Sequence, residues 1–197
     1  ASGGGAARPA SPPTAATRPA VSAVAVRGGG CSLPAGSQTV PSDSPPQAGW
    51  GTVGSMQVPQ NPAVYGPQRS SGPWETCFAH DPAGALLAAM NFYAEGTAAS
   101  PRAVLDRLAV NVTPADMTGG GLDADGPVQL AGYRYDAYTP AQTQVTIVLQ
   151  GPEGKLAAVV TVMRWTGADW RYLAPADGTP SAEVLTDLTG YVAWSAF

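Results

Sequence analysis

The residues best suited to chemistry lie in one short run, Cys77-Phe-Ala-His80-Asp81. It places one of two cysteines and the only histidine beside a carboxylate. An imidazole next to an acid is the pairing expected of a general base. No Ser or Cys nucleophile motif surrounds His80, however, and Cys77 has a second use. With Cys31 it makes the one pairing that two cysteines allow. In an exported protein such a pair is a disulfide; in a cytosolic one both stay as thiols. The disulfide is the expectation, and closing a loop of roughly 45 residues stabilises by about 4 kcal/mol in the chain-entropy account. His80, just before a helix cap, is then expected to close off backbone groups or to pack on Trp74. Without a C-x-x-C or a second histidine no metal centre is expected, and no cofactor is called for.

Two other runs invite a chemical reading and fail it. Leu122-Asp-Ala-Asp-Gly126 has the acids of a calcium loop, but its glycine is at the wrong offset and the twelfth-position Glu is missing. Gly119-Gly-Gly121 lacks the Lys and Ser/Thr of a phosphate loop, so it reads as a connection. The chain carries a net charge of −4, and Lys155 is the only lysine. With no basic run to neutralise phosphates, nucleic acid is set aside as a partner. No apolar stretch approaches the length of a membrane span. The first residue is Ala1, and an upstream signal peptide or membrane helix is expected to have preceded it.

The elements that must position these residues differ along the chain. Residues 1–30 are rich in Pro, Ala and Gly, lack bulky apolar side chains, and are expected to be a disordered spacer. Residues 31–76 stay rich in Pro, Gly and Ser but carry anchors such as Leu33, Trp50, Val58 and Trp74; they read as an irregular arm packed on a folded body. Residues 77–197 are the expected domain. Asp81 as N-cap and Pro82 at the first helical position start a helix with Leu86, Leu87, Met90 and Ala94 on one stripe. Ser100-Pro101 starts a second. After about Asp116 the period becomes two: strands are expected over 128–139, 144–150, 156–165 and 170–174, joined by short turns as an antiparallel meander. The tail is expected to make a helical turn near 182–188 and then to pack Leu188, Tyr191, Trp194 and Phe197 on the body.

Helices followed by a twisted antiparallel sheet of about four strands make an α+β fold. Two or three helices packed on a curved sheet form the cone of the NTF2-like fold. In such a cone Tyr93, Asp106, Asp116, Tyr133, Tyr135 and Asp136 could line a pocket, as acids do in the enzymes of that fold, although their spacing singles out no pair with divergent pKa values. The aromatic set Trp165, Trp170, Tyr172, Tyr191, Trp194 and Phe197 reads as core or clamp, and any exposed part of it would mark a protein interface.

The runs Gly49-Trp50, Val58-Pro59, Gly66-Pro67, Cys77 to Ala89, Gly167-Ala-Asp-Trp170 and Leu188-Thr-Gly-Tyr-Val-Ala-Trp194 resemble a family of actinobacterial proteins encoded with integrative conjugative elements. The resemblance covers about residues 45–197, and Phe78-Ala-His-Asp-Pro-Ala-Gly-Ala85 is its most specific part. It implies a membrane helix, a Pro/Ala-rich spacer and an extracytoplasmic NTF2-like domain similar to those of bitopic scaffolds in conjugative secretion channels. The function implied is a non-enzymatic interaction or scaffold domain of the cell envelope. Its partners would be copies of itself or channel subunits, with membrane contact only through an upstream segment. The alternatives are an NTF2-like small-molecule-binding protein or lyase/isomerase, and a secreted assembly protein whose N-terminal arm orders on a neighbouring subunit.

Overall fold

The computed structural model describes residue 1, residues 31–113 and residues 127–196. Helix α1 (Pro82–Gly96) organises the fold. Asp81 caps it, its Oδ1 accepting the Gly84 N–H at 2.7 Å, and Pro82 occupies the first turn, where its missing N–H removes nothing. Every residue from Pro82 to Asn91 is buried. A helix that is apolar all round has to be enclosed on all sides, and α1 is. One side meets strands β7 (Gln142–Gln150), β8 (Leu156–Trp165) and β9 (Trp170–Leu173); the other meets the hairpin β1 (Gly49–Val53) and β2 (Met56–Gln60), with β4 (Trp74–Thr76) beside it.

The glycine at the start of α1 has a local cause. A Cβ on Gly84 would lie 2.1 Å from the Ala79 carbonyl oxygen, so the turn leading into the helix, not the sheet, requires glycine there. Because that neighbour is backbone and cannot swing away, Gly84→Ala is expected to destabilise by about 2 kcal/mol, read as a lower midpoint in urea unfolding with unchanged slope.

The main sheet has seven strands in the order β11-β6-β7-β8-β9-β5, with β10 also paired to β8. Here β5 is Ala109–Val110, β6 Gln129–Thr139, β10 Ala182–Leu185 and β11 Val192–Ala193. All pairings are antiparallel except β5 with β9, which is parallel. Register shifts at Leu130/Gly132 and Tyr135/Ala137 bend β6. The inner face carries the main core with Val145, Ile147, Val159 and Met163; a smaller cluster, Ala131, Val148 and Ala158, lies under Leu185, Leu188 and Tyr191.

This is not an NTF2-like cone, and the α+β expectation of helices packed on about four strands is corrected. Among the described residues strand accounts for 39% and helix for 17%, with two α-helices and a seven-stranded mixed sheet. The second helix, α2 (Pro101–Leu108), buries only Val104 and Leu108 and covers little of the sheet. The face of α1 opposite the sheet is closed by β1–β2, a hairpin inside the segment expected to be irregular. Residues 49–76 also contain β3 (Arg69–Ser71) paired to β4; only residues 31–48 lack regular elements. The tail forms β10 where a helical turn was expected.

Candidate interaction site

The Cys77 turn is the anchor of the site. Cys77 has φ 72°, the left-handed region that a non-glycine residue enters only when its surroundings hold it there. Asp169 does so. Its Oδ2 accepts the Cys77 N–H at 2.7 Å and its Oδ1 accepts the N–H groups of Phe78 and Trp170, both at 3.0 Å. Burial raises the pKa of this carboxyl, outweighing the N–H groups that stabilise its anion. The Trp170 indole N–H then donates to the Ala79 carbonyl at 2.8 Å. Cys77 is disulfide-bonded to Cys31, with Cα atoms 5.3 Å apart.

His80 lies at the edge of this turn. Its ring stacks on Trp165, with centroids 4.1 Å apart and planes 11° off parallel, and Trp165 meets Trp170 edge to face at 5.4 Å. Nε2 lies 2.6 Å from the Pro140 carbonyl. A carbonyl has no proton to give, so Nε2 carries the hydrogen and donates. The imidazole thus closes off a backbone group as the sequence suggests, but it packs on Trp165 instead of Trp74. Over Trp74 sits the Arg107 guanidinium, 5.2 Å from the ring centroid.

From the disulfide the arm, residues 31–48, runs across one end of the fold and is gripped by side chains. The Gly36 N–H donates to Asp81 Oδ2 at 3.1 Å, so the helix cap also holds the arm. Gln38 donates to the His80 carbonyl at 2.9 Å and accepts from the Tyr138 hydroxyl. The Tyr133 hydroxyl is shared between the carbonyls of Pro41 (2.9 Å) and Ser44 (3.2 Å), and Asn61 Nδ2 donates to the Gln47 carbonyl at 2.9 Å. Pro46 is buried. Tyr135 reaches back to the Pro82 carbonyl at 2.6 Å. Trp194 meets both Tyr133 and Trp50 edge to face at 5.8 Å, which extends this tyrosine row into an aromatic wall. Desolvation pushes the Tyr133 hydroxyl up to about 12, so it stays a donor across the neutral range. Tyr133→Phe removes one neutral donor and is expected to cost about 1 kcal/mol; amide exchange of residues 42–44 should accelerate more than that of α1.

Of the described residues expected to line a pocket, Tyr133 and Tyr135 meet edge to face at 5.8 Å, while Tyr93, Asp106 and Asp136 have separate partners. Tyr93 is bonded to Thr161 Oγ1 at 2.7 Å inside the core, where burial raises its pKa. Asp106 pairs at 3.6 Å with Arg102 on the exposed side of α2. Asp136 accepts from Arg134 at 2.9 Å and from the Thr146 hydroxyl at 2.6 Å on the outer face of the sheet, where the Arg134 guanidinium also lies 4.7 Å over the Tyr191 ring. Asp116, Gly119–Gly121 and Leu122–Gly126 lie outside the described residues, as do residues 2–30 of the expected spacer and Phe197.

Sequence reasoning missed a second acidic cluster. Glu75, Glu95 and Asp169 border one small cavity with Phe78, Phe92 and Met163; at about 10 Å³ it is at the size limit for a single water. Glu95 Oε1 accepts the Glu75 N–H, and burial pushes its carboxyl up to about 8. Neither Glu75 nor Glu95 had a sequence signal beyond acid residues amid apolar ones. Asp169 had the wrong one: in Thr166-Gly-Ala-Asp169 it reads as an ordinary turn residue.

Fold and site together define a mostly β domain that clamps its own N-terminal arm by a disulfide and a row of tyrosines. A family model described as a domain of unknown function, DUF8175, matches residues 10–193, and the chain belongs to that family. No curated protein and no solved structure matches the chain.

Proposed function

We propose that the chain is a non-enzymatic interaction domain that works outside the cytoplasm, as a component of a conjugation or secretion assembly of the cell envelope. In this reading residues 1–30 are a spacer that holds the domain away from an upstream anchor. The observation that supports it best is the use made of polar groups of the body: Asp81, the His80 carbonyl, Tyr133, Tyr138 and Asn61 all hold the arm. A disulfide is compatible with an oxidising compartment. No helix among the described residues is long and apolar enough to cross a membrane. The test is fractionation of the native host with thiol labelling, followed by crosslinking and pull-down from the envelope. The expected result is an envelope-associated protein without labelled thiols, recovered with further copies of itself or with secretion-channel subunits. Cytoplasmic protein with two labelled thiols overturns the reading.

A further inference from the structure

The arm is held in an unusual way for a segment of its own fold. Residues 31–48 contain no strand or helix, and the one backbone–backbone hydrogen bond within them is local, from Ser42 to Val40. Instead the body reads the arm as a receptor reads an extended peptide. Tyr133 donates to the carbonyls of Pro41 and Ser44, Asn61 donates to the carbonyl of Gln47, and Asp81 accepts the N–H of Gly36. Pro46 is buried as well. Aromatic walls with hydroxyl donors aimed at carbonyls of a Pro-containing strand are the chemistry by which domains bind Pro-rich peptides. None of these bonds requires arm and groove to belong to one molecule.

We propose that the arm and the Tyr133 groove are an exchangeable pair: the arm of one copy seats in the groove of a second copy, which brings Cys31 of the first beside Cys77 of the second. This deepens the interaction-domain reading and rests on it. Exchange of an identical element preserves every contact and needs rearrangement only at the hinge, here Ala48 and Gly49, where the arm enters β1. At the other end the arm has one covalent lock, Cys31–Cys77. Closed within one chain, the disulfide keeps the arm at high effective concentration over its own groove and suppresses exchange. Formed between chains, it makes the exchange permanent. The pairing made during oxidation therefore decides between a latched monomer and a linked assembly.

The test mixes two full-length variants, Cys31→Ser and Cys77→Ser, neither of which can close the latch within one chain. They are oxidised together with glutathione disulfide: the two protein thiols lose two hydrogens, and one glutathione disulfide becomes two thiols. The expected product is a heterodimer linked from Cys31 of one copy to Cys77 of the other, above the half share that random pairing of thiols gives. A share at or below one half overturns the proposal.

If either variant lacks the near-ultraviolet dichroism of the parent, the parent itself is used. Heavy- and light-isotope chains are reduced, mixed and reoxidised across a concentration series. Peptides linking light Cys31 to heavy Cys77, rising with concentration, are expected; their absence throughout overturns the proposal. Absence of exchange in a protein still recovered with envelope partners leaves the interaction-domain reading standing. Exchange in a protein found only in the cytoplasm sinks that reading alone.

Discussion

Replacing both Cys31 and Cys77 by serine is expected to destabilise the chain by about 4 kcal/mol, because the crosslink closes a loop of 46 residues in the unfolded chain. For a protein of this size that corresponds to a fall in Tm of roughly 10 °C. The anchor end of the crosslink is rigid: Cys77 sits in a left-handed turn tied by Asp169 through its own N–H and that of Phe78. The other end is an arm fixed by side-chain hydrogen bonds at Gly36, Gln38 and Pro41. Loss of the crosslink therefore acts at two levels. Globally the unfolded chain regains its loop entropy. Locally the arm becomes the first part to open, since nothing else ties Cys31 to the body except the Ser32 contacts with Gln68. Urea unfolding of the oxidised and double-serine chains separates the two. An early, shallow transition confined to the arm, followed by a main transition near the parental midpoint, would mean that the crosslink stabilises only the arm. A single transition shifted by the full amount is the expected result, because Tyr133, Trp194 and Trp50 join the arm to the main core.

The same turn shows what sequence can and cannot carry. The start of α1 was legible because Asp81 and Pro82 act within one turn of chain, and the meander over β7, β8 and β9 was legible because alternation survives in each strand. The pairing of Cys31 with Cys77 needed only arithmetic. What failed depended on distant partners. Ala182-Glu-Val-Leu185 is composed of good helix formers apart from the valine, yet it pairs with Leu156–Val159 and becomes β10. Gly49–Gln60 has Gly and Pro enough to read as irregular, but its strands face α1, which must be covered on that side. The amphipathic stripe read onto α1 was the cause of the wrong architecture. It implied one buried face and a helical layer, where a helix of Ala, Gly, Leu and Met is in fact buried on every side. Tyr133 and Tyr135 read from sequence as pocket residues; their hydroxyls reach backbone carbonyls of the arm and of α1 instead. Asp169 was invisible because its partners, Cys77 and Phe78, lie 92 and 91 residues away.

The second large effect is expected from Glu95→Gln, and it depends on pH. Glu95 is 1% exposed, and its Oε1 accepts the Glu75 N–H across the gap between α1 and β4. Desolvation is the main force raising its pKa to about 8; the Glu75 carboxylate adds to it, while the Glu75 N–H, Arg171 and Arg107 oppose it. A carboxyl whose folded pKa lies above its ordinary value of 4.5 destabilises the fold only when ionised. The penalty is therefore absent below about pH 4.5, grows as pH rises, and is complete above about pH 8. Its full size is on the order of 5 kcal/mol. Glutamine keeps an oxygen for the Glu75 N–H and carries no charge, so the variant should match the parent near pH 4 and exceed it progressively up to pH 9. Asp81, Glu75 and Asp169 are raised by burial as well, but they are present in both chains, and the difference isolates Glu95. Glu95→Ala provides the contrast. It also removes the charge, but it leaves the Glu75 N–H without an acceptor and opens space beside Phe92, so it should be less stable than Glu95→Gln at every pH. Unfolding free energies measured from pH 4 to 9 decide the matter: parallel curves for parent and Glu95→Gln would mean that water reaches this carboxyl, and that α1 and the β3–β4 hairpin are not sealed against each other at that point.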